Sequence, residues 1–355
     1  MSKLEIGNLL AQLSQAKASD LLLAAKNPPC LRINNALVKI EDRALTPAEV
    51  EALITPIIRP EEIEEFKRVK ELDTSYEDEH SRYRINLHFQ LGSMAATIRR
   101  IPKEIPQLDD LGLPPLVKSF TELERGLFLV TGPTGSGKST TQASMIDLIN
   151  RTKSCHIITI EDPIEFVHTP KLSVIEQREV GFDTDSFGEG LKRVLRQIPD
   201  VILVGEMRDL ESIQMAVTAA ETGHLVISTL HTQDAVQSVD RMIDVFPPYQ
   251  QVQIRTQLSL TLKGILSQQL IPRQDGAGLI GAFELLVTTP AISNIIRKGA
   301  TQDIYSMMEL GGRFGMLTMD NALYTLFKKG LISKESALAY SISREKLEKM
   351  IEGKI

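Results

Sequence analysis

Tryptophan is absent, and aromatic residues make up only 5% of the 355-residue chain, so any core must rest on Leu, Ile, Val and Met. There are two cysteines, Cys30 and Cys155, and no CxxC pair. That excludes a Cys-ligated zinc module and speaks against a disulfide framework. Two inert thiols in a reducing compartment are the plain reading. No run of about 18 apolar residues occurs, so no segment reads as a membrane-spanning helix. A basic excess is also missing: 40 basic against 46 acidic residues leave a formal charge of −6, against a domain built mainly for nucleic acid. The first twenty residues set apolar side chains at helical spacing. They lack the basic run and apolar stretch of a signal peptide, which predicts a cytoplasmic protein.

What is present is an ordinary folded composition, 42% hydrophobic and 24% charged, at a length that suits two domains. In the first hundred residues, short strands at Leu21–Ala25, Leu31–Asn34 and Leu37–Ile40 are broken by Asn27-Pro28-Pro29 and Asn34-Asn35. Thr46-Pro47-Ala48-Glu49 has the form of a capping box, predicting a helix toward Ile58 and a second from Pro60 to Lys70. Strands follow at Asp73–Tyr76, Tyr83–Phe89 and Ala95–Ile101. This pattern predicts a small α+β domain over 1–101. Prolines at 102, 106, 114 and 115 predict an extended linker over 102–116.

An α/β domain is predicted over 117–355. The apolar runs Leu127–Val130, His156–Ile160, Val201–Val204 and Leu225–Ser228 fit strands of a parallel sheet covered on both faces. Helical patterns at Lys138–Asn150, Phe187–Arg196 and Leu210–Glu221 lie between them. Beyond about Gln250 the chain reads as mainly helical, with one more apolar stretch at Leu279–Leu286.

The segment from Gly132 to Thr140, GPTGSGKST, satisfies G-x-x-x-x-G-K-[ST] between a strand and a helix, the context this phosphate loop requires. Its glycines let the backbone wrap a phosphate, with N–H groups of Thr134, Gly135, Ser136, Gly137, Lys138, Ser139 and Thr140 turned toward it. Lys138 suits the β- and γ-phosphates, and Ser139 suits Mg²⁺. Three further strands end in polar groups: Glu161-Asp162-Pro163-Ile164-Glu165, Gly205-Glu206 and Thr229-Leu230-His231. In a parallel sheet these ends share the ligand-binding edge. Glu206 is the choice for the metal-side carboxylate. Glu165 and Glu161 both suit the carboxylate that orients the attacking water, and His231 suits a sensor of the γ-phosphate. Arg82, Arg84, Arg99 and Arg100 fall on strands of the first domain. From residue chemistry alone they read as a solvated or salt-bridging face.

These motifs resemble the secretion-superfamily ATPases. The loop at 132–141 followed by Ile158–His168 is similar to their Walker A and Asp boxes. Val204–Asp209 resembles their atypical Walker B, and Thr222–Thr232 their His box. Gln177-Arg178-Glu179-Val180-Gly181 and Asp244-Val245-Phe246-Pro247 also fit. The nearest likeness is to the type IV pilus retraction subgroup, the PilT and PilU ATPases, and it extends from Ala18–Leu21 to Gly315–Asp320.

The resemblance implies a PAS-like first domain, a RecA-like second domain and a hexameric ring that hydrolyses ATP with Mg²⁺. Glu165 would be catalytic and Glu206 the Walker B acid. It implies that Arg84 and Arg99 reach nucleotide. It also implies an inner-membrane pilus platform and a paralogous pilus ATPase as partners, with no nucleic acid. The chain departs from that family at Leu22, Lys26, Asn35, Gln197-Ile198 and Ser293, the last in a motif tied to retraction. A pilus-extension or secretion ATPase fits the core motifs, but those proteins typically carry a four-cysteine insert and a longer N-terminal region. A RecA-like nucleic-acid translocase fits the loop but not the charge balance. In a regulatory paralogue without activity, intact Lys138, Glu165 and Glu206 would have no evident use.

Overall fold

The computed structural model describes residues 4–16, 18–33, 36–101 and 104–354. The chain forms two compact units that divide between Glu104 and Ile105. The first contains α1 (Ile6–Gln15), β1 (Asp20–Ala24), β2 (Cys30–Ile33), β3 (Ala36–Lys39), α2 (Pro47–Ile54), α3 (Pro60–Val69), β4 (Glu71–Glu77), β5 (Arg82–Gln90) and β6 (Ser93–Ile101). Its six strands form an antiparallel sheet in the order β3-β2-β1-β6-β5-β4. The predicted break at Asn34-Asn35 lies outside the described residues. Thr46 and Glu49 make the reciprocal capping box that starts α2. Lys26 adopts φ 65° after β1, where the resembled family often has glycine, at a cost of about 1 kcal/mol.

Strand periodicity sorts the sheet's two faces. Leu21, Leu23, Ile85, Leu87 and Ile98 pack under Leu9, Leu13, Val50, Leu53 and Phe66 of the helices. On the other face the register sets Arg84 opposite Arg99, Arg99 opposite Asp20, and Asp20 opposite Arg32.

The second unit contains α4 (Val117–Phe120), β7 (Gly126–Thr131), α5 (Lys138–Thr152), β8 (His156–Glu161), β9 (Val174–Glu179), α6 (Phe187–Val194), β10 (Val201–Val204), α7 (Leu210–Glu221), β11 (Leu225–Leu230), α8 (Ala235–Asp244) and α9 (Pro248–Thr261). It continues with β12 (Leu262–Pro272), β13 (Leu279–Val287), α10 (Pro290–Lys298), α11 (Ile304–Leu310), α12 (Met319–Lys328), α13 (Lys334–Ala339) and α14 (Arg344–Ile351). The sheet order is β13-β12-β7-β11-β10-β8-β9, parallel except for β13. Phe128, Val130 and Ile157 face Met145, Ile146 and Ile149 of α5. Leu127, Leu129, Ile158 and Ile160 belong to the core on the other side, with α6, α7 and α8. Each such side chain, fully buried, stabilises the fold by about 1.5–3 kcal/mol.

Two sequence expectations need correction. The reading of an extended linker over 102–116 does not hold for its described part. Leu108–Leu111 is a 3₁₀ turn, Leu108 is buried in the second unit's core, and Ser144 Oγ donates to Pro106 O at 2.7 Å. Pro102 and Lys103 lie outside the described residues. The stretch after Gln250 is mainly helical, as read, with a strand at Leu279–Val287, but needs one amendment: β12 follows α9 directly and pairs with β7 and β13. β9 also went unread. Among the described residues, no helix is long and apolar enough to cross a membrane.

Candidate functional site: a phosphate loop with three acidic or imidazole-bearing strand ends

β7, β11, β10 and β8 are consecutive parallel neighbours, so the loops leaving their carboxyl ends line one edge. In spatial order they bring the phosphate loop, His231, Glu206 and the loop carrying Glu165 side by side. Lys138 is the first residue of α5 and is 9% exposed. Its Nζ donates to Gly132 O at 2.8 Å and Pro133 O at 2.9 Å. Burial pushes the ammonium pKa down, while the charges of Glu206 and Glu165 pull it back up. A lysine held between desolvation and two carboxylates is poised for an anion that brings its own charge. Thr134 and Gly135 are exposed at the loop's tip, Ser136 is buried, and Ser139 and Thr140 are partly buried on the first turn of α5.

The loop's shape depends on β12. Gln268, 2% exposed, donates from Nε2 to Ser136 O at 2.7 Å and accepts from Thr141 Oγ1 at 3.0 Å. Gly132 has φ 145°, and a Cβ there would lie 2.3 Å from Gln268 O. Only glycine lets the loop pass so close to β12. A chain of hydroxyls runs below: Thr131 Oγ1 donates to Ser267 Oγ at 2.9 Å, and Ser238 Oγ meets Thr232 Oγ1 at 2.6 Å.

Glu206 follows β10 with its side chain 13% exposed. His231 Nε2 lies 3.2 Å from Glu206 Oε2, and Arg208 pairs with the other oxygen. The structure thus brings together Lys138, Glu206 and His231 as the strand ends implied. His224 stands at the opposite end of β11, its ring bonded to Ala219 O at 2.9 Å.

Glu165 is exposed on the loop after β8. Glu161 behaves differently: burial pushes its carboxyl up to about 7, partly offset by hydrogen bonds from Thr159, Gln177 and the Glu165 backbone N–H. Of the two carboxylates the sequence left open, Glu161 is therefore engaged in structure and Glu165 is free to face the loop.

In the first unit, Arg99 Nε donates to Asp20 Oδ1 at 2.9 Å, and Arg32 Nε lies 3.6 Å from Asp20 Oδ2. Asp20 is 4% exposed beneath them, and Arg84 is exposed beside Arg99.

The model of the type II/IV secretion system protein family matches residues 84–315. The chain belongs to that family. This secretion-family member is 45% identical over 335 residues to the type IV pilus retraction ATPase PilT of Pseudomonas aeruginosa, covering 94% of this chain and 97% of that protein. It is 38% identical to the type IV pilus ATPase PilU of the same organism, covering 98% of this chain and 91% of that one. Among solved structures it is similar to the crystal structure of the pilus retraction motor PilT with bound ADP. There the TM-score is 0.92 at 46% identity, covering 98% of this chain and all of that one. The second unit is accordingly the RecA-like ATPase fold of the secretion family.

No local motif marks Gln268, and Gln177 stands out only through the family resemblance of 177–181. A polar residue inside an otherwise apolar run is the one signal that marks Gln268.

Proposed function

We propose that this chain is a hexameric ATPase that converts ATP hydrolysis into mechanical work on a type IV pilus, drawing the fibre back. The observation that carries this reading is likeness over nearly the whole chain to a pilus retraction ATPase, with the loop at 132–140, Glu206 and His231 on one sheet edge. Backbone N–H groups from Thr134 to Thr140 cradle the phosphates, and Lys138 neutralises the β- and γ-oxygens. The Ser139 hydroxyl and the Glu206 carboxylate are hard oxygen donors on the same sheet edge, a set that fits Mg²⁺. Bound there, the ion would neutralise charge on the phosphate oxygens. His231 holds Glu206 and reports on the γ-phosphate, while Glu165 orients the attacking water. Arg84 and Arg99 approach nucleotide held by a neighbouring subunit. The first unit, 1–101, is a PAS-like domain in this reading, and the ring acts on the cytoplasmic side of an inner-membrane pilus platform, alongside a paralogous ATPase.

The test is ATP turnover with Mg²⁺, paired with rescue of twitching in a piliated strain lacking its retraction ATPase. Lys138→Ala should weaken ATP binding on the order of a hundred-fold. Glu165→Gln and Glu206→Gln should keep binding and lose turnover by about a hundred-fold or more. Removing Mg²⁺ with a chelator should stop turnover. A chain that restores pilus assembly but not retraction would overturn the direction proposed.

A further inference from the structure

The loop that carries Glu165 leaves β8 and returns toward β9, and its backbone is held by side chains of those two strands. Thr159 faces Gln177 across the β8–β9 register, and Glu161 faces Glu179. Because side chains alternate along a strand, Thr159 and Glu161 share one face, as do Gln177 and Glu179. Gln177 Nε2 donates to Phe166 O at 2.8 Å and to Glu161 Oε1 at 3.2 Å. Its Oε1 accepts from the His168 N–H at 2.8 Å. One primary amide thus spends one donor and its acceptor on this loop and its other donor on Glu161 at the end of β8. Glu161 accepts from Thr159 Oγ1 at 2.6 Å, and Glu179 Oε2 accepts from the Ile164 N–H at 3.2 Å. The far end is fixed by Asn150 of α5, whose Nδ2 donates to Thr169 O at 2.8 Å and whose Oδ1 accepts from the Lys171 N–H at 3.0 Å.

We propose that Gln177, oriented by its bond to Glu161, is a positioning residue for Glu165: it clamps the backbone just after that carboxylate, while Glu179 holds Ile164 before it, so that Glu165 stands over the phosphate loop. This rests on the reading of Glu165 as the residue that orients water. Gln177 makes no bond to the phosphate loop itself, which is shaped by Gln268 from the other side of the sheet. The clamp therefore acts on turnover and not on nucleotide binding. A misplacement of about 1 Å in a catalytic group costs on the order of a hundred-fold in rate.

The experiment compares Gln177→Ala, Gln177→Glu, Glu165→Gln and the Gln177→Ala/Glu165→Gln double variant. Each is assayed for ATP turnover and for affinity toward a fluorescent ATP analogue. Gln177→Ala should lower kcat about ten-fold or more with affinity held within about two-fold, and should cost nothing further when Glu165→Gln is already present. Gln177→Glu keeps the acceptor for His168 but turns an oxygen toward Phe166 O and the Glu161 carboxylate, so it should be at least as damaging. Adding Glu161→Gln to it reverses donor and acceptor and should restore part of the rate. Amide exchange should quicken at 164–168 and stay unchanged elsewhere in the sheet, which shows that the variants are folded. Wild-type kcat in Gln177→Ala, or equal loss of kcat and affinity, overturns the clamp while leaving Glu165 in its role. The same fold-loss in the Glu165→Gln background overturns it too. Full turnover in Glu165→Gln overturns both readings.

Discussion

Glu284 is an acid buried to 1% exposure on β13, and its surroundings explain why it is there. Its Oε1 accepts from the Ala235 N–H at 2.8 Å and its Oε2 from the Met319 N–H at 3.2 Å, so one carboxylate satisfies the first turns of α8 and α12. Burial pushes its carboxyl up to about 7, with added repulsion from Asp234 and Asp320 and relief from the two N–H donors. The raised value means that the folded chain keeps a proton which the unfolded chain loses near pH 4.5. Stability from this group is therefore greatest below about pH 4.5 and falls as pH rises toward and through about 7. At about 1.4 kcal/mol per unit the decline amounts to at most about 3.5 kcal/mol. Thermal unfolding followed from pH 5 to 8 should show it, and Glu284→Gln should flatten the slope, leaving the share of Glu161 and the opposite contribution of His168, whose burial holds it down to about 4. An unaltered slope in that variant would remove Glu284 from the account. That Lys138, Glu206 and His231 fall at one sheet edge was legible because their neighbours in sequence announce the strand ends. Glu284 and Gln268 were not, since their partners come from distant parts of the chain.

At the scale of elements, β12 shows where pattern reading loses its grip. The helix α9 runs to Thr261 and the strand begins at Leu262, with no Gly or Pro between them to mark the change. The decisive constraint is spatial. At Gly264 a Cβ would lie 2.8 Å from Phe120 and 2.9 Å from Leu286 O, so the backbone can lie between α4 and β13 only because that side chain is missing. β12 in turn carries Gln268 to the phosphate loop. Gln268→Ala removes two buried hydrogen bonds worth about 1 kcal/mol each, and the loop's carbonyl at Ser136 loses its partner. ATP affinity should fall about ten-fold or more, measured by titration with a fluorescent analogue. This is the opposite signature to Gln177→Ala, which should spare affinity. Undiminished binding in Gln268→Ala would show that the loop holds its shape without β12. By contrast, α5, α7 and β10 follow their sequence patterns closely, because caps, apolar runs and the glycine loop are local signals.

For the whole molecule, the proposed ring makes the first unit's arginines functional only when subunits meet. Arg84 and Arg99 stand opposite each other on β5 and β6, and buried Asp20 holds the Arg99 guanidinium. Losing such an arginine costs turnover far more than affinity, because the charge it meets develops in the transition state. Light scattering at micromolar concentration should report six subunits with nucleotide present. Rings mixed from Arg99→Ala and Glu165→Gln subunits should regain part of the activity that each variant lacks, because some neighbouring pairs assemble one intact composite site. Mixed rings that form but stay inactive would refute the arrangement. Ser293, which departs from the retraction motif, sits half-buried on α10, where its N–H joins the helix to Thr289 O. The resembled family favours arginine at this position, so retraction force measured for Ser293→Arg against the unaltered chain tests its weight.

The sequence by itself determined that this chain is a two-part α/β protein with a nucleotide loop, and which acids and imidazole stand at the strand ends beside it. Those features are written in short spans, where glycine spacing, capping residues and strand periodicity act on neighbours along the chain. Tertiary structure alone decided that Glu161 is tied to Thr159 and Gln177 while Glu165 is exposed, that 105–116 belongs to the second unit, and that Gln268, Gln177 and Glu284 hold loops and helix ends in place. Each of these depends on which backbone group a side chain meets after the strands have paired, and hydrogen bonds between residues more than a hundred positions apart leave no period to read.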